Sequence, residues 1–176
     1  MKVQQSNTLG VALRGFFSNY LPKLRGMSPH TILSYRDSFK LLLGFLIQQK
    51  NIAATDLEIE EIGSAEVIAF LDHLESNRKN SIGTRNIRLS AIHSFFRCLA
   101  FMYPDYLDQS QRILSIPFKR MSTRTIEYLE FDEVLAVFKV IDRSIFDGRR
   151  DYVLLRLLFN TGARVQEVVD LKANDL

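Results

Sequence analysis

The stretch LLRLLFNTGARVQEVVDLKANDL, residues 154–176, shows most directly how this chain is built. Leucines recur at helical spacing up to Phe159, and a Thr-Gly pair then interrupts the pattern. Arg164 follows this turn, and Glu167 lies one helical turn later. A guanidinium at a helix start, where free backbone amides also favour an anion, suits a phosphate diester. The stretch predicts two helices joined by a turn that presents Arg164.

The same helical spacing continues towards the N-terminus. Ser28-Pro29 is expected to start one long helix, and Ser81 or Thr84 a second, because hydroxyl side chains cap free amides and proline fits the first turn. Shorter helices are expected from Thr8 to Leu21, where Pro22 interrupts the pattern, and from Ser64 to Leu74, with Ser64 as the cap. The fold class is therefore mostly α-helical.

The stretch 116–126 divides the chain. It holds Pro117 among basic and hydroxyl side chains and has no usable periodicity, which is typical of an interdomain linker. We predict an N-terminal helical domain over residues 1–115, a basic linker over 116–126 and a second helical unit over 127–176.

Charge, cysteine content and apolar runs indicate which partners, bonds and locations suit this chain. Residues 1–120 carry 15 lysines and arginines against 10 acidic residues, whereas residues 121–176 carry 8 against 10. The basic front half is compatible with a nucleic-acid partner. A single cysteine, Cys98, excludes an intramolecular disulfide and favours a buried thiol in a reducing, cytoplasmic setting. No apolar stretch is long enough for a membrane span, and scattered histidines give no expectation of a metal or cofactor.

Candidate DNA contacts lie on two helices and in the linker. Spacing places one group on a shared face of the fourth helix, outside its apolar stripe, so replacing its arginines should leave the fold intact. The alternative, ordinary solvated faces and a solubilising linker, stays open. The candidates are Ser81, Thr84, Arg85 and Arg88 on that face, Arg36 and Lys40 on the second helix, and Lys119, Arg120 and Arg124 in the linker.

Three segments together resemble the tyrosine recombinases, the phage-integrase and Xer-like family. RDYVLLRLLFNTGARVQEVVDLKANDL looks like the start of the family's catalytic domain. MSPHTILSYRDSFKLLLGFL and GTRNIRLSAIHSFFRCLA look like the second and fourth helices of its N-terminal, SAM-like core-binding domain. The front half is most similar to transposon- or plasmid-borne members.

The resemblance implies a reaction and a site. A tyrosine attacks a DNA phosphodiester, forms a 3′-phosphotyrosine link and allows strand exchange without a metal or cofactor. Two arginines stabilise the phosphate, and a lysine and a histidine assist proton transfer. Arg164 matches the first arginine, and Glu167 matches the supporting acid. The implied partners are double-stranded DNA and further recombinase protomers in a synaptic complex.

The sequence departs from the family pattern after Arg164. The family's lysine, His-x-x-Arg motif and nucleophilic tyrosine have no counterpart among these residues, and Glu130 stands where a Ser or Thr cap is usual. We therefore expect a complete core-binding domain and a severed catalytic domain. The chain should bind duplex DNA through the N-terminal helices and the linker, and should not cleave it. Two alternatives remain open: a non-catalytic DNA-binding regulator, and a helical module that docks a partner through residues 161–176.

Overall fold

The computed structural model describes residues 8–121 and 127–172, and these ranges contain helices and loops with no strand. The chain divides into two compact units, residues 1–122 and 123–176. The mostly helical fold class is thus confirmed. The boundary lies inside the predicted linker, and residues 116–121 group with the first unit.

The described residues of the first unit, 8–121, form five α-helices with a π-helical segment after the first. Three short 3₁₀ turns, Ala54–Asp56, Ile59–Glu61 and Pro104–Tyr106, lie in its connections. The helices are α1 (Thr8–Gly15), the π-helix (Phe16–Leu24), α2 (Pro29–Lys50), α3 (Ser64–Ser76), α4 (Ile82–Met102) and α5 (Leu107–Leu114).

The two long helices begin at the predicted caps. Ser28 Oγ accepts from the Thr31 backbone N–H at 3.2 Å, and Ser81 Oγ accepts from that of Thr84 at 3.3 Å. These bonds satisfy amides that the first helical turn leaves free. Ser64 is instead the first helical residue of α3, behind a Gly63 N-cap without a side-chain bond, so its predicted capping role is wrong.

Pro22 does not end the first helical segment as expected. It lies inside the π-helix, whose wider turn is visible in the bond from the Arg25 N–H to the Tyr20 carbonyl, five residues back. In this wider turn each backbone N–H bonds to the carbonyl five residues back instead of four. The missing N–H of Pro22 therefore does not end the helical segment at that residue. The turn ends just beyond, at Gly26, with φ +57°.

An aromatic cluster forms the centre of the first unit. The Phe95 ring lies 5.4 Å from that of Phe16 and 5.2 Å from that of Phe39, both edge-on. All three side chains are at most 2% exposed. Edge-to-face geometry is favoured for such rings, so one contact set joins α2, α4 and the π-helix. Cys98 is buried in the same core, as predicted, and burial raises the pKa of its thiol to about 11.

The acidic stretch before α3 is only partly exposed to solvent. Leu57, Ile59 and Ile62 are fully buried in the core, while the carboxylates between them face outwards to bonding partners. Glu60 accepts a hydrogen bond from the Tyr106 hydroxyl, and Glu61 pairs with Lys50. The alternation fixes this connection against the helices.

The second unit contains α6 (Phe131–Val140), α7 (Phe146–Thr161) and α8 (Val165–Val169). Although Glu130 is an unusual cap, α6 begins there, because the Glu133 carboxylate accepts from the Glu130 backbone N–H at 2.9 Å. Phe138 packs between the rings of Tyr152 and Phe159, which joins α6 to α7.

Candidate nucleic-acid interface and the Arg164 turn

Ser81 and Thr84 lie together at the start of α4, as the spacing predicts. Their hydroxyl oxygens are 3.1 Å apart, and neither residue is buried. Serine and threonine hydroxyls at a helix start are common donors to DNA phosphates. This end of α4 can therefore offer two adjacent polar groups to a backbone.

Arg85 does not belong to this exposed face. The residue is 5% exposed, and its Nε lies 3.1 Å from Glu75 Oε1 on α3, in an ion pair without hydrogen-bond geometry. Its predicted exposure is wrong, because helical spacing cannot show that α3 brings a carboxylate against this side of α4. Arg85 is therefore a component of the α3–α4 packing.

Arg88 is half-buried and points towards α2. Its Nη1 donates to the Ser34 carbonyl at 3.1 Å and to the fully buried Ser38 hydroxyl at 3.0 Å. The expectation that both arginines could be replaced without harm to the fold assumed side chains outside the packing between helices, and neither arginine meets that condition. Alanine at either position would remove a contact between helices: the ion pair with Glu75 on α3 for Arg85, and the bonds to Ser34 and Ser38 on α2 for Arg88.

Arg36 and Lys40 are exposed on α2, as predicted. Lys40 Nζ lies 4.0 Å from Asp37, and both of these side chains are more than half exposed, which makes the pair weak. Lys40 also lines a shallow groove between α2 and α3. No acidic residue lines this groove, whose walls are Lys40, Leu41, Gly44, Phe45, Gln48, Phe70, His73 and Arg78.

Arg78 and Lys79 are basic residues that the sequence analysis missed. They lie exposed in the connection between α3 and α4, and Arg78 reaches the groove that also contains Lys40. The tight connection is held by the Arg78 N–H bond to the His73 carbonyl and by a left-handed Lys79, φ +55°. The NRKN run of residues 77–80 was the available signal, since adjacent basic residues in a short interhelical turn favour a phosphate contact.

Of the predicted linker contacts, Lys119 and Arg120 are described and Arg124 lies outside the described residues. Lys119 Nζ pairs with Glu75 at 2.7 Å, while its side chain stays 46% exposed. Arg120 is exposed. The next residue, Met121, contacts Gly83 in the first turn of α4. Arg120 therefore lies near the helix start that carries Ser81 and Thr84.

The Arg164 turn has the geometry that the Thr-Gly pair predicts. Gly162 adopts φ +64° and ends α7, and the Thr161 hydroxyl accepts from the Ala163 N–H at 3.2 Å. Glycine occupies this left-handed position without the Cβ clash of other residues. The chain then enters α8 with Arg164 as its N-cap.

Glu167 holds Arg164 from two sides. Its carboxylate accepts from the Arg164 backbone N–H at 2.8 Å and from the guanidinium Nη1 at 3.0 Å. The Arg164 side chain is nevertheless 86% exposed, so most of its donors face outwards. Glu167 thus fixes one side of the guanidinium, whose exposed donors can contact an anion.

Other chemistry is sparse in the residues described, 8–121 and 127–172. Within them no group of three or more His, Cys, Asp or Glu could hold a metal ion. No helix in the same ranges has the length and apolar character needed to cross a membrane. His93 is buried and bonded to the Ile113 carbonyl at 3.1 Å, and burial lowers its pKa.

Comparison with known proteins assigns the family. Residues 15–101 match the phage integrase N-terminal SAM-like domain. The chain is 43% identical over 169 residues to integrase/recombinase y4rC of Sinorhizobium fredii, covering 96% of this chain and 51% of that protein. It is 39% identical to integrase/recombinase y4rD of the same organism, covering 96% and 60%. A tyrosine recombinase of Pseudothermotoga lettingae is 26% identical, covering 91% and 52%.

The matches also show how much of each relative this chain covers. The chain spans about half the length of the curated relatives it matches, 51% and 52% in two of them. No solved structure matches. The SAM-like match falls in the first unit, which contains the cap serines and the basic turn described above. From these matches and its helical fold, the chain belongs to the tyrosine recombinase family.

Proposed function

We propose that this chain is the DNA-binding portion of a site-specific tyrosine recombinase, and that its 176 residues bind duplex DNA without cleaving it. The observation that carries the proposal is a basic surface in the SAM-like domain. This surface, here called the α4-start surface, consists of Lys40, Arg78, Lys79, Ser81, Thr84 and Arg120.

The charge balance around this surface favours phosphate binding. Glu75, an acidic residue of the same region, is already shared between Arg85 and Lys119. The four cations Lys40, Arg78, Lys79 and Arg120 are exposed. Exposed cations that neutralise DNA phosphates release condensed counterions, which gives affinity that depends strongly on salt.

Arg164 supports the recombinase assignment in the second unit. In the family the matching arginine stabilises the phosphate during strand cleavage, and here it is oriented by Glu167 while its donors stay exposed. None of the six tyrosines follows Arg164 in these residues. We therefore propose binding, and not cleavage, as the activity of these residues.

Partners and location follow from the same proposal. Recombination joins two DNA segments, and so we propose that other recombinase protomers assemble with this one on DNA. A cytoplasmic location is supported by Cys98, the only cysteine, which is a buried thiol outside any disulfide.

A charge-matched set of variants tests the DNA interface. Fluorescence anisotropy with duplex DNA over a salt series should show tight binding for the wild type, with affinity falling linearly in log salt. Lys40→Ala and Arg78→Ala should each weaken binding and reduce the salt slope by about 1. Arg112→Ala is the control, because Arg112 on α5 pairs with Asp108 and lines a pocket with the first residues of α3. The 13 residues of α3, at 1.5 Å each, separate that pocket from Arg78 by about 20 Å.

Three outcomes would contradict the proposal. An absence of DNA binding at low salt would remove the interface. Equal losses for Arg78→Ala and Arg112→Ala would show that general charge, and not the α4-start surface, binds DNA. Covalent attachment to a nicked suicide substrate would show that these residues do cleave.

A helical interaction module is the second candidate, favoured by one observation. The second unit exposes an apolar groove lined by Leu129, Val134, Val137, Phe138, Leu155, Leu158 and Phe159. Exposed apolar patches often mark a protein contact. Partner binding that is insensitive to salt, together with no affinity for DNA, would favour this candidate.

A further inference from the structure

Residues 116–121 form a strap that runs along α4. Ile116 is 6% exposed, and the Phe118 ring meets the His93 ring edge-on at 5.2 Å. At the far end Met121 is packed against Gly83, where an added Cβ would lie 3.2 Å from Met121 Cε. The chain order 118 to 121 thus opposes the helix order 83 to 93, and the strap is antiparallel to α4.

Asn86 binds the backbone of the strap at its middle. Its side-chain Nδ2 donates to the Lys119 carbonyl at 2.8 Å, and its Oδ1 accepts from the Lys119 backbone N–H at 3.1 Å. A primary amide supplies one donor and one acceptor in this spacing, whereas a carboxylate or a hydroxyl cannot match both. The two bonds resemble one rung of a sheet and hold position 119 independently of its side chain.

Glu75 adds a second attachment through the side chain. Its Oε1 lies 2.7 Å from Lys119 Nζ and 3.1 Å from the Nε of the buried Arg85. One carboxylate therefore ties the strap to α3 and to α4. Because Arg85 needs Glu75 for charge compensation, the attachment is also linked to the packing of the first unit.

We propose that Asn86 is a positioning residue that latches the strap, so that Arg120 is held beside the start of α4 before DNA arrives. The consequence for DNA rests on the proposed function. A strap that is already ordered places Arg120 near Ser81 and Thr84 without a further ordering cost on binding. The latch thereby makes residues 116–121 a fixed part of the α4-start surface instead of a flexible linker.

Hydrogen exchange of the amide at position 119 measures the latch directly in the full chain. Asn86→Ala should raise its exchange rate at least about fivefold, since the amide loses its acceptor. Lys119→Ala is the matched control, because it removes the ion pair but leaves both backbone bonds, and so exchange at 119 should stay slow. If Asn86→Ala does not fold, Asn86→Asp takes its place. The aspartate keeps the acceptor and loses the donor, so the exchange rate at 119 should lie between those of the wild type and a variant without either bond.

DNA anisotropy on the same proteins measures the consequence. Asn86→Ala should weaken duplex binding about threefold to tenfold although it removes no charge. Asn19→Ala, an exposed change in the π-helix, should leave both measurements at wild-type values. Unchanged exchange at 119 in Asn86→Ala would overturn the latch. Faster exchange with unchanged DNA affinity would overturn its role in positioning Arg120.

Failure of the latch and failure of the proposed function are separable. If the wild type does not bind duplex DNA at low salt, the proposed function fails, and with it the role of Arg120. The exchange data then still decide whether Asn86 holds the strap.

Discussion

The two units have similar apolar patterns in their helices but bury their apolar side chains to different extents. In the first unit, Phe16 and Phe95 are at most 1% exposed. In the second unit Phe138 is 8% exposed, but Phe146 and Phe159 are 72% and 45% exposed. Apolar spacing predicted helices equally well in both. The difference teaches that periodicity indicates which face of a helix is apolar, whereas burial depends on the number of neighbours that cover it.

The arginines differ between the units in the same way. Arg85 and Arg88 of the first unit bind groups inside the helical bundle. Arg164 of the second unit is 86% exposed and is held by a neighbour on its own helix. The sequence analysis had made Arg85 and Arg88 candidate DNA contacts from helical spacing, and Arg164 a candidate phosphate ligand from its turn and the family resemblance. Only the exposed arginine keeps a geometry that suits that role.

The largest expected effect compares two phenylalanines. Phe95→Ala should lower the free energy of unfolding of the first unit by about 3–5 kcal/mol, because it leaves a cavity within the aromatic cluster. Phe159→Ala should cost the second unit roughly 1 kcal/mol, since that side chain is 45% exposed. Urea denaturation with hydrogen exchange resolved by unit measures both. Equal losses of stability in the two units would contradict the inference that the first unit buries its phenylalanines more completely.

The next effect compares two carboxylates that pair with arginine. Glu75→Gln should destabilise the first unit by about 1–3 kcal/mol, because the 6% exposed Arg85 side chain loses its counter-charge. Glu167→Gln should change the stability of the second unit little, since the Arg164 guanidinium is solvated. Thermal denaturation followed by circular dichroism is the measurement. If Glu75→Gln leaves the melting temperature unchanged, Arg85 does not need the negative charge of Glu75.

Alanine substitutions at two glycines should change the free energy of unfolding in opposite directions. Gly162→Ala should destabilise the second unit by about 1 kcal/mol, because its φ of +64° is strained for any residue with a Cβ. Gly44→Ala, at an exposed interior position of α2 with no atom near its Cβ direction, should stabilise the first unit by up to about 1 kcal/mol. Exchange rates of amides in α7 and α2 report each change. Stabilisation by both variants would contradict the left-handed turn at Gly162.

The smallest effect is a pH dependence confined to the first unit. Burial lowers the pKa of His93, with a further contribution from the Arg97 charge, and the bond to the Ile113 carbonyl only partly opposes them. The unfolded chain therefore binds this proton more readily, with an ordinary pKa of 6.5, and stability is fully present above that pH.

As the pH falls from 6.5 towards the lowered pKa of folded His93, the free energy of unfolding of the first unit should decrease. His93→Gln should flatten this dependence, as measured by urea denaturation on either side of pH 6.5. His30→Gln, an exposed substitution, is the control. A slope that survives in His93→Gln would show that another group causes it.

Much of the helical architecture and part of the candidate site could be predicted. Helix starts at Ser28 and Ser81 and the turn at Gly162 depend on bonds between residues three or four positions apart, which the local sequence dictates. Helical spacing also placed Arg36 and Lys40 on the polar side of the second helix, where they are exposed. The family followed from whole segments and not from any single motif.

The sequence by itself determined where most helices begin, which faces are apolar and that Glu167 holds Arg164, because these depend on short-range geometry. Tertiary structure alone decided the burial of Arg85, the bonds from Arg88 to α2 and the docking of the strap on Asn86. The partners in those contacts lie 10, 50 and 33 positions away along the chain. A polar side chain becomes structural or functional according to the group that meets it, and folding alone brings such distant groups together.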